Sequence, residues 1–347
     1  MKILIYEHLS SGAWRKDHQE HLLPEGAAML AALLKDFSAV SGCTTITVLD
    51  PHLDRGKFVA DQIFPGGISF GLQAFRELTA AVDAVLVLAP EIGGILAELT
   101  EIVEQAGKLL LGSSKEAVEP TTYKQLTLER WLKADLPIPS TEIASTEIAS
   151  LQILKTLPLP LVLKPVDGAG SSYTYVIRSQ QQLERVWHSI AAEKPAPFFL
   201  AQEYLRGNAA SVSLIVSPGS ALPLSLNQQL LEVGETIHYA GSTVGLAHPL
   251  AQEAVELAEK ACTLFPGLCG YVGVDMVLTP EGAVLMEINP RITTSYLALR
   301  RAIDTNLAWL ILRACTGEKL PASVNLTSPV TISIKQLADE FGEKGMN

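Results

Sequence analysis

The sequence has few charges, few cysteines and no long apolar run. Charged residues make up 18% and hydrophobic residues 48% of its 347 residues, compared with about 25% charged in average soluble domains. That composition argues against intrinsic disorder. The apolar stretches fall short of the ~18 residues that a membrane-spanning helix needs, and Glu7 ends the opening apolar run too early for a signal peptide. We therefore expect a cytoplasmic protein without membrane contacts.

Cationic residues are in the minority. The 26 Lys and Arg residues are outnumbered by 37 Asp and Glu residues, which gives a formal net charge of −11. Nucleic-acid binding by counterion release needs clustered cations, so this charge disfavours a nucleic-acid partner. The four cysteines are far apart and form no CxxC pair. Neither a zinc site nor a disulfide framework is indicated, and we expect all four to be core or incidental residues.

The first 112 residues alternate strand-like and helix-like segments. Short apolar runs predict strands at 2–6, 45–49, 84–88 and 109–111, and helical spacing of apolar residues predicts helices at 30–37, 70–82 and 92–105. This alternation is typical of an open, parallel, Rossmann-like sheet. Because ligands lie beyond the carboxyl ends of such strands, residues 7–12 either face a site or form an ordinary turn.

The second half has a different pattern. A stretch rich in Pro, Ser and Thr at 136–150, with STEIA repeated at 140–144 and 145–149, predicts a connector with a tolerated insertion. Strands then predominate, which predicts an α+β fold. The predicted strands are 161–164, 173–177, 198–203, 211–216, 271–278 and 283–288, and the predicted helices are 180–190, 252–265 and 305–315.

The most specific local prediction concerns a hairpin late in the chain. A three-residue loop at 280–282, with its final glycine in the left-handed conformation, would pair Thr279 with Ala283. Counting back along both strands, Asp275 then lies opposite Glu287, with Cβ atoms about 4.5 to 5.5 Å apart. Two facing carboxylates repel each other unless a proton, a cationic side chain or a metal compensates.

Two interpretations of this carboxylate pair stay open. Asn289 points to the same face as Glu287, and oxygen ligands without His or Cys nearby favour a hard cation, above all Mg²⁺. The alternative is a solvated sheet face on which Arg291 neutralises Glu287.

A loop of small residues follows a lysine in the same half. Lys164 ends an apolar strand, and residues 167–172 read DGAGSS. Such a loop lets backbone N–H groups approach a phosphate while the lysine supplies a point charge, or it is a simple hairpin turn. Because the lysine precedes the loop, the pattern excludes a P-loop.

Five weak motifs in one order resemble the ATP-grasp superfamily, and the resemblance covers essentially the whole chain. They are Tyr123-Lys124, Lys164 with its loop, the strand exit Gln202-Glu203-Tyr204-Leu205, Asp275, and Glu287-Ile288-Asn289-Pro290-Arg291. Within the superfamily, residues 7–12, 24–30, 210–213 and 227–228 are most similar to small carboxylate–amine ligases of the tyramine–glutamate ligase type.

The resemblance implies a fold in three parts. A Rossmann-like pre-ATP-grasp domain would span residues 1–112. A small ATP-grasp lobe at 113–200 would carry the first-lysine helix and the glycine loop, and a large lobe at 201–347 would carry the metal site.

The resemblance also implies roles for matching residues. Lys124 and Lys164 would hold the ATP phosphates, and Lys164 and Arg291 would act in catalysis. Many relatives place a ribose-binding carboxylate after the hinge glycine, whereas Gly207 is here followed by Asn208. The other implied contacts are to Mg²⁺ from Asp275, Glu287 and Asn289, to ATP from Gly168, Gly170, Ser171, Ser172, Gln202, Glu203 and Leu205, and to substrate from Glu7, Ser11, Gly12, Asn227 and Thr293.

The implied function is the ATP-dependent joining of an amino acid or small carboxylic acid to an amine. The reaction would pass through an acyl phosphate and release ADP and phosphate. The expected partners are small molecules, and a homodimer is allowed. Two alternatives are a carboxylase-like enzyme that uses carboxyphosphate and a regulatory protein that binds a nucleotide without catalysis.

Overall fold

A computed structural model describes residues 1–13, 20–168, 170–193 and 195–342 of the protein. Ala169 of the predicted glycine loop lies outside this part of the chain. Three β-sheets organise the fold. None of the described helices is both long and apolar enough to cross a membrane.

The N-terminal sheet has five parallel strands in the order β3-β2-β1-β4-β5, which confirms the predicted Rossmann-like arrangement. Its central strands are buried along nearly their whole length because helices cover both faces. The edge strand β3 was missed, since it is short, mostly exposed and ends in a proline. The elements are β1 (Lys2–Glu7), α1 (Leu23–Ser38), β2 (Thr44–Leu49), β3 (Gln62–Pro65), α2 (Leu72–Ala80), β4 (Ala84–Leu88), α3 (Ile95–Gln105) and β5 (Leu109–Leu110).

A second sheet of four antiparallel strands follows, in the order β6-β9-β7-β8. Trp187 and Phe199 meet edge to face in its core, with ring centroids 6.1 Å apart. The prediction of a plain connector at 136–150 is wrong, because this stretch contains β6, which pairs with β9. The elements are β6 (Thr141–Ser145), α6 (Leu151–Leu154), β7 (Leu161–Pro165), β8 (Tyr175–Ile177), α7 (Gln180–Glu193) and β9 (Phe198–Glu203).

The third sheet has six antiparallel strands in the order β14-β13-β10-β11-β12-β15. Strands β11 and β12 were not predicted, since polar residues interrupt their apolar pattern. The elements are β10 (Asn208–Ser217), β11 (Ser220–Val233), β12 (Ile237–Val244), α8 (Ala251–Thr263), β13 (Gly270–Thr279), β14 (Gly282–Asn289), α9 (Ser295–Ala302), α10 (Leu307–Thr316), β15 (Val330–Ser333) and α11 (Ile334–Phe341).

Two helices between the first and second sheets pack against the third one. They are α4 (Lys115–Thr122) and α5 (Lys124–Lys133). Trp131 of α5 is fully buried and meets Phe265 edge to face, in the core that lies under the six-stranded sheet. The first-lysine helix, which the resemblance placed in the small lobe, therefore shares its core with the six-stranded sheet. The predicted boundary after residue 200 also falls inside β9, three residues before that strand ends at Glu203.

The other face of the six-stranded sheet joins the N-terminal domain. Helix α1 packs against α9, α10 and α11, and all four belong to one hydrophobic core. Asp36 of α1 accepts hydrogen bonds from Tyr296 and Arg300 of α9 across this junction. Helix α1 therefore contacts both β1 of the N-terminal sheet and the helices that follow β14.

All four cysteines are free thiols, and Cys262 is buried in the core. The sulfur atoms of Cys269 and Cys315 lie 3.5 Å apart.

Candidate active site

A cavity of about 620 Å³ lies where the three sheets approach one another. Two charged clusters line it. The lysine cluster consists of Lys124, Lys164, Asp275, Glu287 and Asn289. The arginine cluster consists of Arg291, the carboxylate of Glu91 that binds it, and the lining residues Glu7, Glu25 and Thr294.

The predicted pairing of Asp275 with Glu287 is confirmed, although the rest of the hairpin register differs from the prediction. Thr279 pairs with Gly282 across a two-residue loop, so the predicted Thr279–Ala283 pair is wrong. That ladder, if continuous, would place Met286 opposite Asp275. A β-bulge between Asp275 and Met276 adds one residue in β14, and Asp275 consequently pairs with Glu287. Asp275 and Glu287 therefore do face each other.

Lys124 connects this hairpin to the glycine loop. Its ammonium Nζ lies 3.4 Å from Glu287 Oε2 and donates to the carbonyl oxygen of Gly168 at 3.0 Å. Its backbone N–H donates to Val166 at 3.0 Å, just beyond Lys164 at the end of β7. A single buried lysine thus ties the start of α5 to the loop and to the hairpin.

Burial and close charges shift the protonation equilibria of this cluster. Burial, with Glu287 nearby, raises the pKa of Asp275 to about 7. Burial would also raise the pKa of Glu287, but Lys124 and Lys164 outweigh it and hold that pKa below its usual value. Burial lowers the pKa of Lys164 to about 8, a shift that Glu287 opposes. Perturbed groups gathered in one cavity are typical of a functional site.

The strand exit after β9 forms another wall of the cavity. Glu203 N–H and Tyr204 N–H donate to carbonyl oxygens of Ser140 and Pro160. The side chain of Gln202 is fully buried and donates to Thr141, but its Oε1 atom has no hydrogen-bond partner in the described part of the chain. A buried acceptor without a partner is unfavourable unless a ligand or water supplies a donor.

Arg291 binds Glu91 and not Glu287. Its Nε and Nη2 atoms donate to the two carboxylate oxygens of Glu91 at 2.8 and 2.7 Å. The alternative in which Arg291 neutralises Glu287 is therefore wrong, because the carboxylate that binds Arg291 belongs to Glu91. Since Lys124 pairs with Glu287, the compensating cation at the carboxylate pair is a lysine.

Glu7 and Glu25 are the other two acids of the arginine cluster. Glu7 accepts backbone N–H bonds from Leu9 and Ser10, and burial raises its pKa to about 7. Glu25 accepts a hydrogen bond from the hydroxyl of Thr294 at 2.5 Å, and burial raises its pKa as well. A side chain at Gly26 would meet Glu7 Oε1 at 2.7 Å, so glycine at this position lets the Glu7 carboxylate lie against α1.

The cavity brings together most of the predicted site residues. Ser11 instead bonds to Tyr6 and to the carbonyl oxygen of His8. Gly12, with φ of +79°, packs against Asp50, and Asn227 donates to Ser211 and Ser213. These three lie outside the cavity lining. The predicted residues that line it are Glu7, Lys124, Lys164, Gly168, Gly170, Ser171, Ser172, Gln202, Glu203, Leu205, Asp275, Glu287, Asn289, Arg291 and Thr293.

Some residues of the site were not predicted. Glu25 lies in the first turn of α1, which begins at Leu23. Glu91 lies three residues beyond Leu88, the last residue of β4. The rule that placed Glu7 beyond the end of β1 applies equally to Glu91 and β4. Tyr239 also lines the cavity, and it lies in β12, a strand that the sequence did not reveal.

The geometry suits a nucleoside triphosphate. Buried lysines and a loop of small residues can hold phosphates, paired carboxylates suit a hard cation, and a strand exit with a free buried acceptor suits a purine edge. These features lie between two antiparallel sheets behind a Rossmann-like domain. They define a class of nucleotide-dependent enzymes with a two-lobed binding cleft.

Comparisons with known proteins specify this class. A family model described as an ATP-grasp domain matches residues 123–295, and one described as pre ATP-grasp 3 domain matches residues 43–118. The chain belongs to the ATP-grasp family.

Relatives and solved structures agree with this family. The tyramine–L-glutamate ligase of Methanocaldococcus fervens is 29% identical over 93% of this chain and 97% of its own length. An ATP-grasp superfamily protein from Archaeoglobus fulgidus matches with a TM-score of 0.71 at 24% identity, over 96% of this chain and 92% of that one. A biotin carboxylase in complex with β,γ-ATP, from Campylobacter jejuni, matches with a TM-score of 0.73 at 15% identity, over 94% and 74%. The chain is an ADP-forming carbon–nitrogen ligase of the ATP-grasp type.

Proposed function

We propose that the protein joins the carboxylate of an amino acid to a primary amine, and that L-glutamate and tyramine are the first pair to test. The proposal depends on one observation: a single cavity contains both the lysine cluster and the arginine cluster. A ligase of this kind must hold ATP and both of its other substrates in one space, because the activated acid would otherwise hydrolyse.

In the proposed reaction the lysine cluster serves the nucleotide. Lys124 and Lys164 hold the phosphates from two directions, and the loop residues Gly168, Gly170, Ser171 and Ser172 close over them. The backbone at Gln202 and Leu205, two residues that line the cavity, contacts adenine. Positioning and cationic stabilisation supply most of the rate in phosphoryl transfer, so no covalent nucleophile is needed.

The same cluster fits Mg²⁺. In the described residues no three His, Cys, Asp or Glu side chains gather at one point. Mg²⁺ needs only one or two carboxylates when phosphate oxygens and water complete its shell. Asp275, Glu287 and Asn289 offer that set, and Asn289 Nδ2 already lies 3.3 Å from Asp275 Oδ2. When bound, Mg²⁺ would neutralise charge on the phosphates.

The arginine cluster serves the acid and the amine. A carboxylate is a poor electrophile, and the γ-phosphoryl group of ATP converts it to an acyl phosphate that an amine can attack. Arg291 stabilises the negative charge that develops in this attack. Its own charge is already matched by Glu91, so Glu7 and Glu25 remain available to a cation. An ammonium group meets that need, and a carboxylate with a pKa of about 7 can accept its proton.

The test is an assay of ADP release with a panel of amino acids and amines, with mass spectrometry of the product. The expected result is ADP release that requires both an acid and an amine, together with a product whose mass equals their sum minus one water. The matched control replaces the amine with bicarbonate, because the carboxylase-like alternative shares the fold. Bicarbonate-dependent ADP release, or no ADP release with any pair, would reject the ligase proposal.

A further inference from the structure

The contact between Glu91 and Arg291 joins distant parts of the chain. Glu91 follows β4 of the N-terminal sheet, and Arg291 follows β14 of the six-stranded sheet, 200 residues later. Both side chains are largely buried, with 7% and 15% of their surfaces exposed. A fork of two hydrogen bonds fixes the plane of a guanidinium as well as its position.

The remaining donors of Arg291 are limited. Its Nη1 atom donates to the carbonyl oxygen of Ile292 at 3.1 Å, so three of its five N–H groups are engaged. The other two, one on each Nη atom, remain for a ligand. Arg291 lines the cavity, whereas Glu91 does not. Glu91 therefore binds Arg291 from outside the space that substrates would occupy.

Without Glu91, Arg291 would have other partners. Glu287 also attracts its guanidinium, and Glu7 and Glu25 attract it from within the arginine cluster. An arginine released from Glu91 can turn toward either of them, since its side chain has many rotamers. Such a move would neutralise the acids that the proposed function reserves for an ammonium, and would misplace the group that faces the developing charge.

We propose that Glu91 is a positioning residue for the ligase reaction: it orients Arg291 toward the reacting groups and keeps it away from Glu7 and Glu25. This inference rests on the proposed function for the reaction itself. The bidentate contact between Glu91 and Arg291 does not depend on that function, because it is a property of the fold.

A double-mutant cycle tests the proposal. Glu91→Gln keeps the shape of the side chain but places an amide N–H₂ against the guanidinium. Turnover is expected to fall by about 10- to 100-fold, as for a misplaced catalytic group, with ATP Kd changed by less than about twofold. Because Glu91 acts through Arg291, Glu91→Gln combined with Arg291→Ala should be no slower than Arg291→Ala alone. Glu91→Asp should restore part of the activity.

Asp36→Asn is the matched control. Asp36 binds Arg300 by the same fork across the same junction, between α1 and α9, and neither residue lines the cavity. We expect this variant to lower Tm while its turnover stays within about threefold of the wild type.

Chemical labelling supplies a readout that needs no activity. Phenylglyoxal modifies accessible arginines, and mass spectrometry of the peptide that contains Arg291 follows the rate. Glu91→Gln should raise that rate and Asp36→Asn should not. Additive losses in the double mutant, or an unchanged labelling rate in Glu91→Gln, would overturn the inference. A raised labelling rate in a protein that turns over no acid–amine pair would reject the proposed function, and the catalytic role of the pair with it.

Discussion

The lysine cluster and the arginine cluster share one cavity but differ in how their charges are matched. The lysine cluster has two cations and two carboxylates, and its contact between Lys124 and Glu287 is 3.4 Å long. The arginine cluster has one cation and three carboxylates, and Glu91 is the carboxylate that binds the cation, at 2.7 and 2.8 Å. The first cluster can exchange its partners for phosphate and metal, and the second retains uncompensated acids. Under the proposed function, the lysine cluster receives the phosphates and the arginine cluster receives the ammonium group.

Mutations in the two clusters should therefore differ in which constant they change. Changes in the lysine cluster should alter ATP affinity and turnover together. Changes in the arginine cluster should alter turnover, or the pH dependence of stability, without altering ATP affinity.

The largest effect is expected for Glu287→Gln in the lysine cluster. It removes the charge that faces Asp275 and pairs with Lys124, and with it the proposed metal ligand. Turnover should fall by more than about 10³-fold, since metal stabilisation supplies several kcal/mol, while Tm shows an intact fold. Glu281→Gln, in the exposed loop of the same hairpin, is the control and should behave as wild type. Equal wild-type rates with and without Mg²⁺ would contradict the proposed metal role.

The next largest effect is expected for Arg291→Ala in the arginine cluster. Turnover should fall by a factor of about 10² to 10³, as when one preorganised oxyanion donor is lost, with little change in ATP Kd. Arg300→Ala, which removes an arginine outside the cavity, is the control. Parallel losses in Tm, ATP Kd and kcat of Arg291→Ala would show that Arg291 is structural.

Lys164→Ala should have a smaller effect, which changes both the KM for ATP and kcat. Its charge serves both the bound and the transferring phosphates, so ATP KM should rise and kcat should fall, each by about tenfold, as for a lost charged hydrogen bond. Lys155→Ala, which breaks an ion pair with Glu184 away from the cavity, should change neither. An ATP KM unaltered by Lys164→Ala would mean that the loop after β7 is only a hairpin turn.

The remaining prediction concerns stability, not turnover, and the buried Glu7. The unfolded chain loses the proton of Glu7 near pH 4.5, whereas the folded protein keeps it to about pH 7. The folded state binds more protons between these values, so the free energy of unfolding falls as the pH rises from about 4.5 to about 7, by up to about 3 kcal/mol.

Glu7→Gln should remove that part of the pH dependence. The variant should be less stable than wild type at pH 5, because it loses an acceptor for the N–H groups of Leu9 and Ser10, and more stable at pH 8. Denaturant unfolding at both pH values measures this, with the exposed Glu98→Gln as control. If the difference between wild type and Glu7→Gln is the same at pH 5 and pH 8, Glu7 is ionised throughout that range.

Much of the fold could be predicted from local pattern. Buried parallel strands such as β1 and β4 are continuous apolar runs, and α1 has apolar residues at helical spacing, because both elements are specified by neighbours along the chain. Strands β11 and β12 were missed for the converse reason. Several of their residues face the cavity and are polar, so these strands lack the apolar pattern from which a strand is predicted.

The tandem STEIA segment shows where local pattern fails. The first copy forms β6, in which Ile143 pairs with Leu200 of β9, whereas the second copy leads into a short 3₁₀ turn at Ile148–Ser150. The five residues are identical, so propensity cannot distinguish the copies. The partner strand distinguishes them, because a strand needs another strand to satisfy its backbone groups.

The lysine cluster shows what local sequence pattern can predict and what depends on tertiary contacts. Local sequence pattern was enough to predict which residue types would meet there: the lysine before the glycine loop, and the carboxylates of the last hairpin. The β-bulge that puts Asp275 opposite Glu287 could not be predicted in this way, although a shift of one residue turns every side chain to the other face; packing of the whole fold sets it. The tertiary structure also decided that Lys124 compensates Glu287 and that Arg291 binds Glu91. Such pairs depend on distances between residues far apart in the chain, which are set by packing and leave no local mark on the sequence.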